Sequence, residues 1–171
     1  MRHRFLRLLF PLSLLAFLLP AWGADSSLPP PEGKVLLTIS GNIEHANSGD
    51  EARFDREMLA SLAWQEVETR TPWHDDRGTF AGPLLRDVLA AAGVRSERVR
   101  VRALNGFEAE IPLPELHDYD VILAMRRNGR PMPIREFGPL FVLYPFDAHP
   151  ELDTETVRFR SVWQVRHIHA L

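Results

Sequence analysis

The sequence predicts a single α+β domain in which mixed β-sheets are combined with a few short helices. Three observations support this prediction. Strand-like segments with alternating or continuous apolar residues recur along the chain, asparagine–glycine pairs follow some of these segments, and only two segments have the apolar spacing of a helix. A chain with many strands and few helices, in no regular alternation, is typical of the α+β class.

The predicted strands follow one another through most of the chain. They cover residues 34–40, 64–71, 98–104, 107–111, 121–125, 140–144 and 157–168. The segment 98–104 alternates arginine with apolar residues, which predicts one buried face and one exposed face. Asn105-Gly106 lies between two such segments and predicts a hairpin, and Asn128-Gly129 predicts another turn. The last predicted strand carries Trp163.

Two helices are predicted. The first covers residues 55–62, where apolar side chains recur on one face. The second covers residues 83–92, with Pro83 in its first turn and Gly93 directly after its last turn. Proline near the start and glycine just past the end are common signals for the two ends of a helix.

Residues 1–23 are predicted to form a secretory signal peptide. Three arginines precede an apolar run over 8–20, and small residues follow at 21–23. The run is shorter than the ~18 residues expected of a membrane span, which disfavours an uncleaved anchor. We therefore expect a proline-rich tether over 24–33, a domain over 34–171, and a mature protein in the periplasm.

The chain contains 19 arginines and a single lysine, which indicates a GC-rich bacterial genome.

Charge and cysteine content exclude several classes of function. The formal net charge is −3, and it becomes −6 without residues 1–23, which contain three arginines and no acid. An acidic domain is a poor binder of nucleic acid. The chain has no cysteine, so it forms no disulfide and performs no thiol chemistry, and we expect no lipoprotein anchor.

No common catalytic motif is present in the sequence. There is no GxSxG segment and no glycine-rich phosphate loop, and paired carboxylates such as Asp75-Asp76 are typical of a solvated surface. His167 and His169 share one strand face at a spacing of two. No further ligand clusters near them in the sequence, so we interpret them as exposed terminal histidines and predict no metal site.

Aromatic and polar residues at strand ends are the candidate ligand-binding residues. They are Thr69, Arg70, Thr71, Trp73, Phe80, Asn105, Phe107, Arg135, Phe141 and Trp163. Such a set suits a flat heterocycle, since each stacked ring contributes roughly 1–3 kcal/mol and an amide or carboxylate can bind the polar edge. Taken singly, these residues are usually better explained by structural roles, Trp163 as a core residue and Asn105-Gly106 as a turn.

These segments also carry a family resemblance. The matching segments are 39–41, 80–89, 128–132, 138–140 and 144–145. From Val35 to the C-terminus the sequence resembles the molybdopterin-binding domain of the sulfite oxidase family. The resemblance implies that fold and a site for molybdopterin.

Two departures from that family are visible. The enzymes place their molybdenum-binding cysteine near 69–71, where this chain has two threonines and Arg70. They also carry an arginine where this chain has Phe141. A soft thiolate has no equivalent among hydroxyl groups, so these changes argue against the molybdenum cofactor and favour a neutral, aromatic-lined site.

A second resemblance fits the sequence more closely. Thr69-x-Thr71-Pro72-Trp73, Ala103-Leu104-Asn105, Gly138-Pro139-Leu140 with Tyr144-Pro145, and Ser161-x-Trp163-Gln164 are similar to segments of small cysteine-less periplasmic proteins of the same fold. Those proteins bind reduced pterins and report on them to a membrane-bound diguanylate cyclase or phosphodiesterase. The resemblance implies a non-catalytic regulator whose partner is the periplasmic domain of such an enzyme.

The hypothesis of a pterin-binding regulator gives roles to the candidate residues. Trp73 or Trp163 is expected to stack on the pterin ring, Asn105 and an acidic neighbour to bind its edge, and Arg70 or Arg135 to meet a carbonyl or carboxylate. Two alternatives stay open at this point. One is a molybdopterin-dependent oxidoreductase with Thr69 or Thr71 as metal ligand, and the other is an interaction module without a ligand pocket.

Overall fold

The structure is a computed structural model that describes residues 28–171. The predicted signal peptide and the first part of the tether lie outside the described residues. Between residues 28 and 171, no helix combines the length and the apolar character needed to cross a bilayer.

The described part of the chain contains strands and short helices in mixed order. They are β1 (Leu37–Gly41), β2 (Ala52–Phe54), α1 (Arg56–Ala60), β3 (Trp64–Thr69), β4 (Gly78–Pro83), α2 (Leu85–Ala91), β5 (Arg98–Ala103), β6 (Glu108–Pro112), α3 (Leu113–Asp118), β7 (Ile122–Ala124), β8 (Arg126–Arg127), β9 (Arg130–Pro131), β10 (Phe141–Leu143), α4 (Glu155–Arg160) and β11 (Val165–Ala170). Short 3₁₀ turns cover Ile134–Glu136 and Pro150–Leu152.

The strands of the described residues form three sheets. The largest has five strands in the order β2-β1-β11-β5-β6, and within it only β1 and β11 are parallel. A four-stranded sheet has the order β3-β4-β8-β9, and β10 pairs with β7. These mixed sheets and the short α-helices confirm the predicted α+β class.

The alternation in β5 is confirmed. Val99, Val101 and Ala103 are buried beneath the five-stranded sheet, whereas the arginines between them face outward. On the outer face these arginines form ion pairs with Glu108 and Glu110 of β6. Strand geometry places alternate side chains on opposite faces, which is why the sequence pattern was sufficient here.

A second, smaller apolar cluster lies between the two other sheets. Its buried members are Phe80, Leu84, Ile122, Ala124, Met132, Phe141 and Leu143. Trp73 and Trp163 pack against this cluster from outside. The cluster therefore supports the loops that carry the two tryptophans.

The predicted strand over 157–168 is confirmed over 165–168 and was wrong before that. The chain forms α4 there and then β11, and the two are separated by residues 161–164. Thr154 starts α4 by accepting the N–H of Val157 at 3.3 Å, a capping interaction that terminates the preceding loop. Trp163 lies between the two elements and pairs with Phe141 through an isolated bridge.

The helix ends also differ from the prediction. Pro83 is the last residue of β4 and pairs with Trp64, so α2 begins only at Leu85. Gly93 follows α2 with a φ of +66°, as expected of a glycine that ends a helix. Helix α3 was not predicted, because its six residues are too few to show a helical period.

The second half of the proline-rich tether is attached to the domain. The N–H groups of Glu32 and Gly33 donate to Oδ2 of Asp55 at 2.9 and 2.7 Å. Asn47 Nδ2 donates to the carbonyl of Pro29 at 2.7 Å. Asp55 also accepts the N–H of Met58 and so caps α1. A single buried carboxylate thus joins the tether to the first helix.

Candidate ligand-binding site

A cavity of about 320 Å³ opens between the turn after β5, helix α4 and the segment that joins α4 to β11. The loop after β3 contributes Trp73. The lining residues are Trp73, Ala103, Asn105, Phe107, Glu155, Arg158, Phe159, Ser161, Val162 and Trp163. Its volume lies at the lower end of the roughly 300–1,000 Å³ typical of small-molecule sites.

Two aromatic pairs line the cavity. Trp73 and Trp163 meet edge to face, with ring centroids 5.3 Å apart and planes at 69°. Phe107 and Phe159 are nearly parallel, with centroids 6.1 Å apart and planes at 21°. The phenylalanines are 39% and 56% exposed, so they form an open apolar rim, whereas the tryptophans are half-buried. The cavity therefore offers flat apolar surfaces to a planar ligand.

Polar groups lie beside these rings. Asn105 Oδ1 accepts the N–H of Phe107 at 3.0 Å, which leaves the side-chain NH₂ group for a ligand. Arg158 is paired with Asp153 at 2.8 Å. Within residues 28–171, Glu155 makes no ion pair, and its carboxylate is an exposed acceptor at the cavity. An amide donor and a free carboxylate thus accompany the aromatic surfaces.

The loop that carries Trp73 is fixed through Asp147. Asp147 accepts the backbone N–H of Arg70 at 3.1 Å and forms an ion pair with Arg77 at 2.6 Å. Its own N–H donates to Thr69 Oγ1 at 3.0 Å. Thr71 Oγ1 accepts the N–H of Trp73 at 3.3 Å and bonds His74 Nδ1 at 2.7 Å. Both threonine hydroxyls therefore serve to shape this loop.

The structure separates the other predicted site residues from the cavity. Phe80 and Phe141 are fully buried in the smaller core cluster, so neither ring is open to a ligand. Phe141 supports the Trp73 ring instead, with centroids 5.7 Å apart. Arg70 is paired with Asp147, and Arg135 lines another cleft together with His74. The cavity brings together four of the ten predicted residues, namely Trp73, Asn105, Phe107 and Trp163.

Glu155 and Phe159 were missed by the sequence prediction. Both lie on α4, in the segment that was wrongly predicted to form part of a strand. The available signal was Thr154 followed by Glu155, since a threonine cap and an acid in the first turn are typical of a helix start. Residues 155, 158 and 159 would then lie on one helix face.

The family of the chain follows from comparison with known families. A model of the oxidoreductase molybdopterin binding domain matches residues 53–146, more than half of the chain. The chain therefore belongs to this family, whose members bind molybdopterin, and the predicted fold is confirmed. No curated protein matches the chain. Trp73, Asn105 and Phe107 lie within the matched range, whereas α4 and Trp163 follow it.

The residues at the cavity do not fit a molybdenum centre. The chain contains no cysteine, so it offers no soft thiolate ligand at this site. Thr69 and Thr71 are buried, and their hydroxyls are already hydrogen-bonded. Among the described residues, Arg158 is the only cationic side chain that lines the cavity, and it forms an ion pair with Asp153. The phosphate of a phosphorylated cofactor would therefore find no unpaired cationic side chain at the cavity.

Proposed function

We propose that this protein is a non-catalytic periplasmic pterin-binding protein that regulates a membrane-bound cyclic di-GMP enzyme. The observation that supports it best is the aromatic cavity of a molybdopterin-family domain that lacks the cysteine needed to hold molybdenum. The predicted signal peptide over 1–23 supports the periplasmic location. The resemblance to cysteine-less periplasmic regulators supports the role in signalling.

The proposed pterin contacts use each part of the cavity. The ring stacks on the face of an aromatic side chain, with Trp73 and Trp163 inside and Phe107 at the rim. The amino-pyrimidine edge of a pterin presents neighbouring N–H donors, and the Glu155 carboxylate accepts them. The Asn105 NH₂ group donates to the ring carbonyl. Glu155 is thus the acidic neighbour that the sequence left unidentified.

Regulation follows from linkage between pterin and partner. The exposed rings of Phe107 and Phe159 border the cavity, so a pterin bound there changes the surface that faces the solvent. The periplasmic domain of a diguanylate cyclase or phosphodiesterase docks on this surface in the proposed complex. A pterin that binds one docked state more tightly than another shifts the equilibrium toward the state that it binds more tightly.

The proposal is tested by titrating a tetrahydropterin against the purified protein and following tryptophan fluorescence. We expect saturable quenching, which Trp73→Ala abolishes. Glu155→Gln should weaken binding about 10- to 100-fold, since a hydrogen bond to a charged group contributes about 1.5–3 kcal/mol. Glu151→Gln is the matched control, because this exposed glutamate precedes α4 and lies outside the cavity.

Two results would contradict the proposal. One is the absence of saturable quenching in the parent protein. The other is stoichiometric molybdenum in protein purified from its own host. Co-purification of the membrane enzyme that does not respond to pterin would contradict the regulatory part alone.

A further inference from the structure

The outer face of the five-stranded sheet carries two histidines at its centre. Strands β1 and β11 are parallel, and their register places Thr38 opposite His167 and Ser40 opposite His169. The residues between them, Ile39 and Ile168, are buried in the core. Strand alternation therefore directs both histidines to the face away from the core. The sequence predicted that they are exposed, but in the structure both are half-buried.

The two imidazoles converge on one atom. His167 Nε2 lies 2.9 Å from Ser40 Oγ, and His169 Nδ1 lies 3.0 Å from the same oxygen. The rings are close to parallel, with centroids 6.4 Å apart and planes at 25°. A serine hydroxyl has a single hydrogen, so it can donate to only one of the two nitrogens. The strand backbone thus holds two imidazole nitrogens toward a common point.

We propose that His167 and His169 form a bidentate site for a borderline divalent transition metal ion, with Cu²⁺ bound most strongly. Imidazole nitrogen is a preferred ligand of Cu²⁺, Ni²⁺ and Zn²⁺, and Cu²⁺ forms the most stable complexes of the divalent series. Metal–nitrogen bonds are about 2.0–2.1 Å long, shorter than the distances of 2.9 and 3.0 Å to Ser40 Oγ, so an ion bound by both nitrogens displaces these hydrogen bonds. Solvent completes the coordination.

The charges around this site are compatible with a cation. Across the sheet, Arg102 lies opposite His167 and Arg100 opposite His169. Arg102 is ion-paired with Glu108, and Arg100 with Glu110 at 2.8 Å. The two arginines are therefore compensated by glutamates of β6. None of these residues lines the proposed pterin cavity, so the inference stands apart from the proposed function.

The test is a Cu²⁺ titration of the full chain, purified without a polyhistidine tag, by calorimetry and electron paramagnetic resonance. We expect one ion per chain, with nitrogen couplings from two imidazoles. His167→Asn and His169→Asn should each weaken binding by about tenfold or more, since even outer-shell changes at metal sites cost roughly 10–100-fold. His149→Asn is the control, because this histidine lies outside the sheet and contacts Glu151.

Two outcomes would overturn the inference. In one, the double variant His167→Asn/His169→Asn binds Cu²⁺ as tightly as the parent. In the other, the spectrum of the parent protein at one equivalent of Cu²⁺ lacks coupling to two imidazole nitrogens. The second measurement needs no variant and stays decisive if a substitution impairs folding.

Discussion

Gly82 lies where β4 passes the backbone of β7, and the spacing leaves no room for a side chain. A Cβ at this position would lie 2.0 Å from the carbonyl oxygen of Leu123 and 2.8 Å from its carbon. We expect Gly82→Ala to lower the free energy of unfolding by about 3 kcal/mol or more, at the upper end of overpacking effects. Urea denaturation followed by circular dichroism measures this change.

Gly129 provides the comparison for that substitution. Its φ is +75°, and a Cβ added here would have no atom of the described residues within 4 Å. Asparagine tolerates this backbone conformation, so Gly129→Asn should cost less than about 1 kcal/mol. Equal losses of stability in the two variants would contradict the steric explanation for Gly82.

His74 makes stability depend on pH. Burial lowers the pKa of His74, and the nearby Arg127 lowers it further, while Asp75 and Asp76 act in the opposite direction. The unfolded chain then binds more protons than the folded one at pH values between the lowered pKa and the ordinary value of about 6.5. The free energy of unfolding should therefore fall as the pH is lowered through this window, and be retained above it.

The measurement is urea denaturation between about pH 5 and pH 8, with EDTA present. His74→Gln should show a weaker decrease at acidic pH than the parent protein. Burial also lowers the pKa of His167, so part of the decrease remains in that variant. A His74→Gln profile identical to that of the parent would refute the assignment.

At the scale of elements, α4 is held against the domain by a partly buried carboxylate. Glu115 of α3 accepts hydrogen bonds from Arg160 at the end of α4 and from the hydroxyl of the buried Tyr144. Burial raises the pKa of Tyr144, which keeps this hydroxyl protonated as a donor. The same helix carries Glu155 and Phe159 to the cavity, so its position controls the proposed site.

Glu115→Gln should therefore affect both stability and ligand binding. We expect a loss of roughly 1.5–3 kcal/mol in the free energy of unfolding, as for a hydrogen bond to a charged group, together with weaker pterin binding. Thermal denaturation and the fluorescence titration measure the two effects. Asp153→Asn breaks the exposed pair with Arg158 and should cost at most about 1 kcal/mol. Unchanged pterin affinity in Glu115→Gln would show that α4 does not depend on this anchor.

For the whole molecule, pterin binding should stabilise the folded state. A ligand at about 100 times its dissociation constant adds about 2.7 kcal/mol to the free energy of unfolding when it binds only the folded protein. We expect a rise in Tm that grows with pterin concentration and is absent in Trp73→Ala. A concentration-dependent rise that persists in Trp73→Ala would place the ligand elsewhere on the protein.

The sequence by itself was sufficient for features that depend on neighbouring residues. The alternation of arginine and valine in β5, and the turn at Asn128-Gly129 between β8 and β9, were predicted from local patterns and are confirmed. The α+β class and the molybdopterin-domain family were also predicted correctly. Strand alternation and turn preference are set by the backbone within a few residues, so they are visible without tertiary contacts.

The tertiary structure alone decided which distant residues meet. It placed Phe80 and Phe141 in the core, brought Glu155 to the cavity, and directed His167 and His169 to one serine hydroxyl of β1. Local pattern predicted one strand over 157–168, where the chain forms α4 and then β11, because short apolar segments suit both a strand and a helix until their packing is known. Contacts such as these depend on sheet register and helix packing across the chain, which no local sequence pattern encodes.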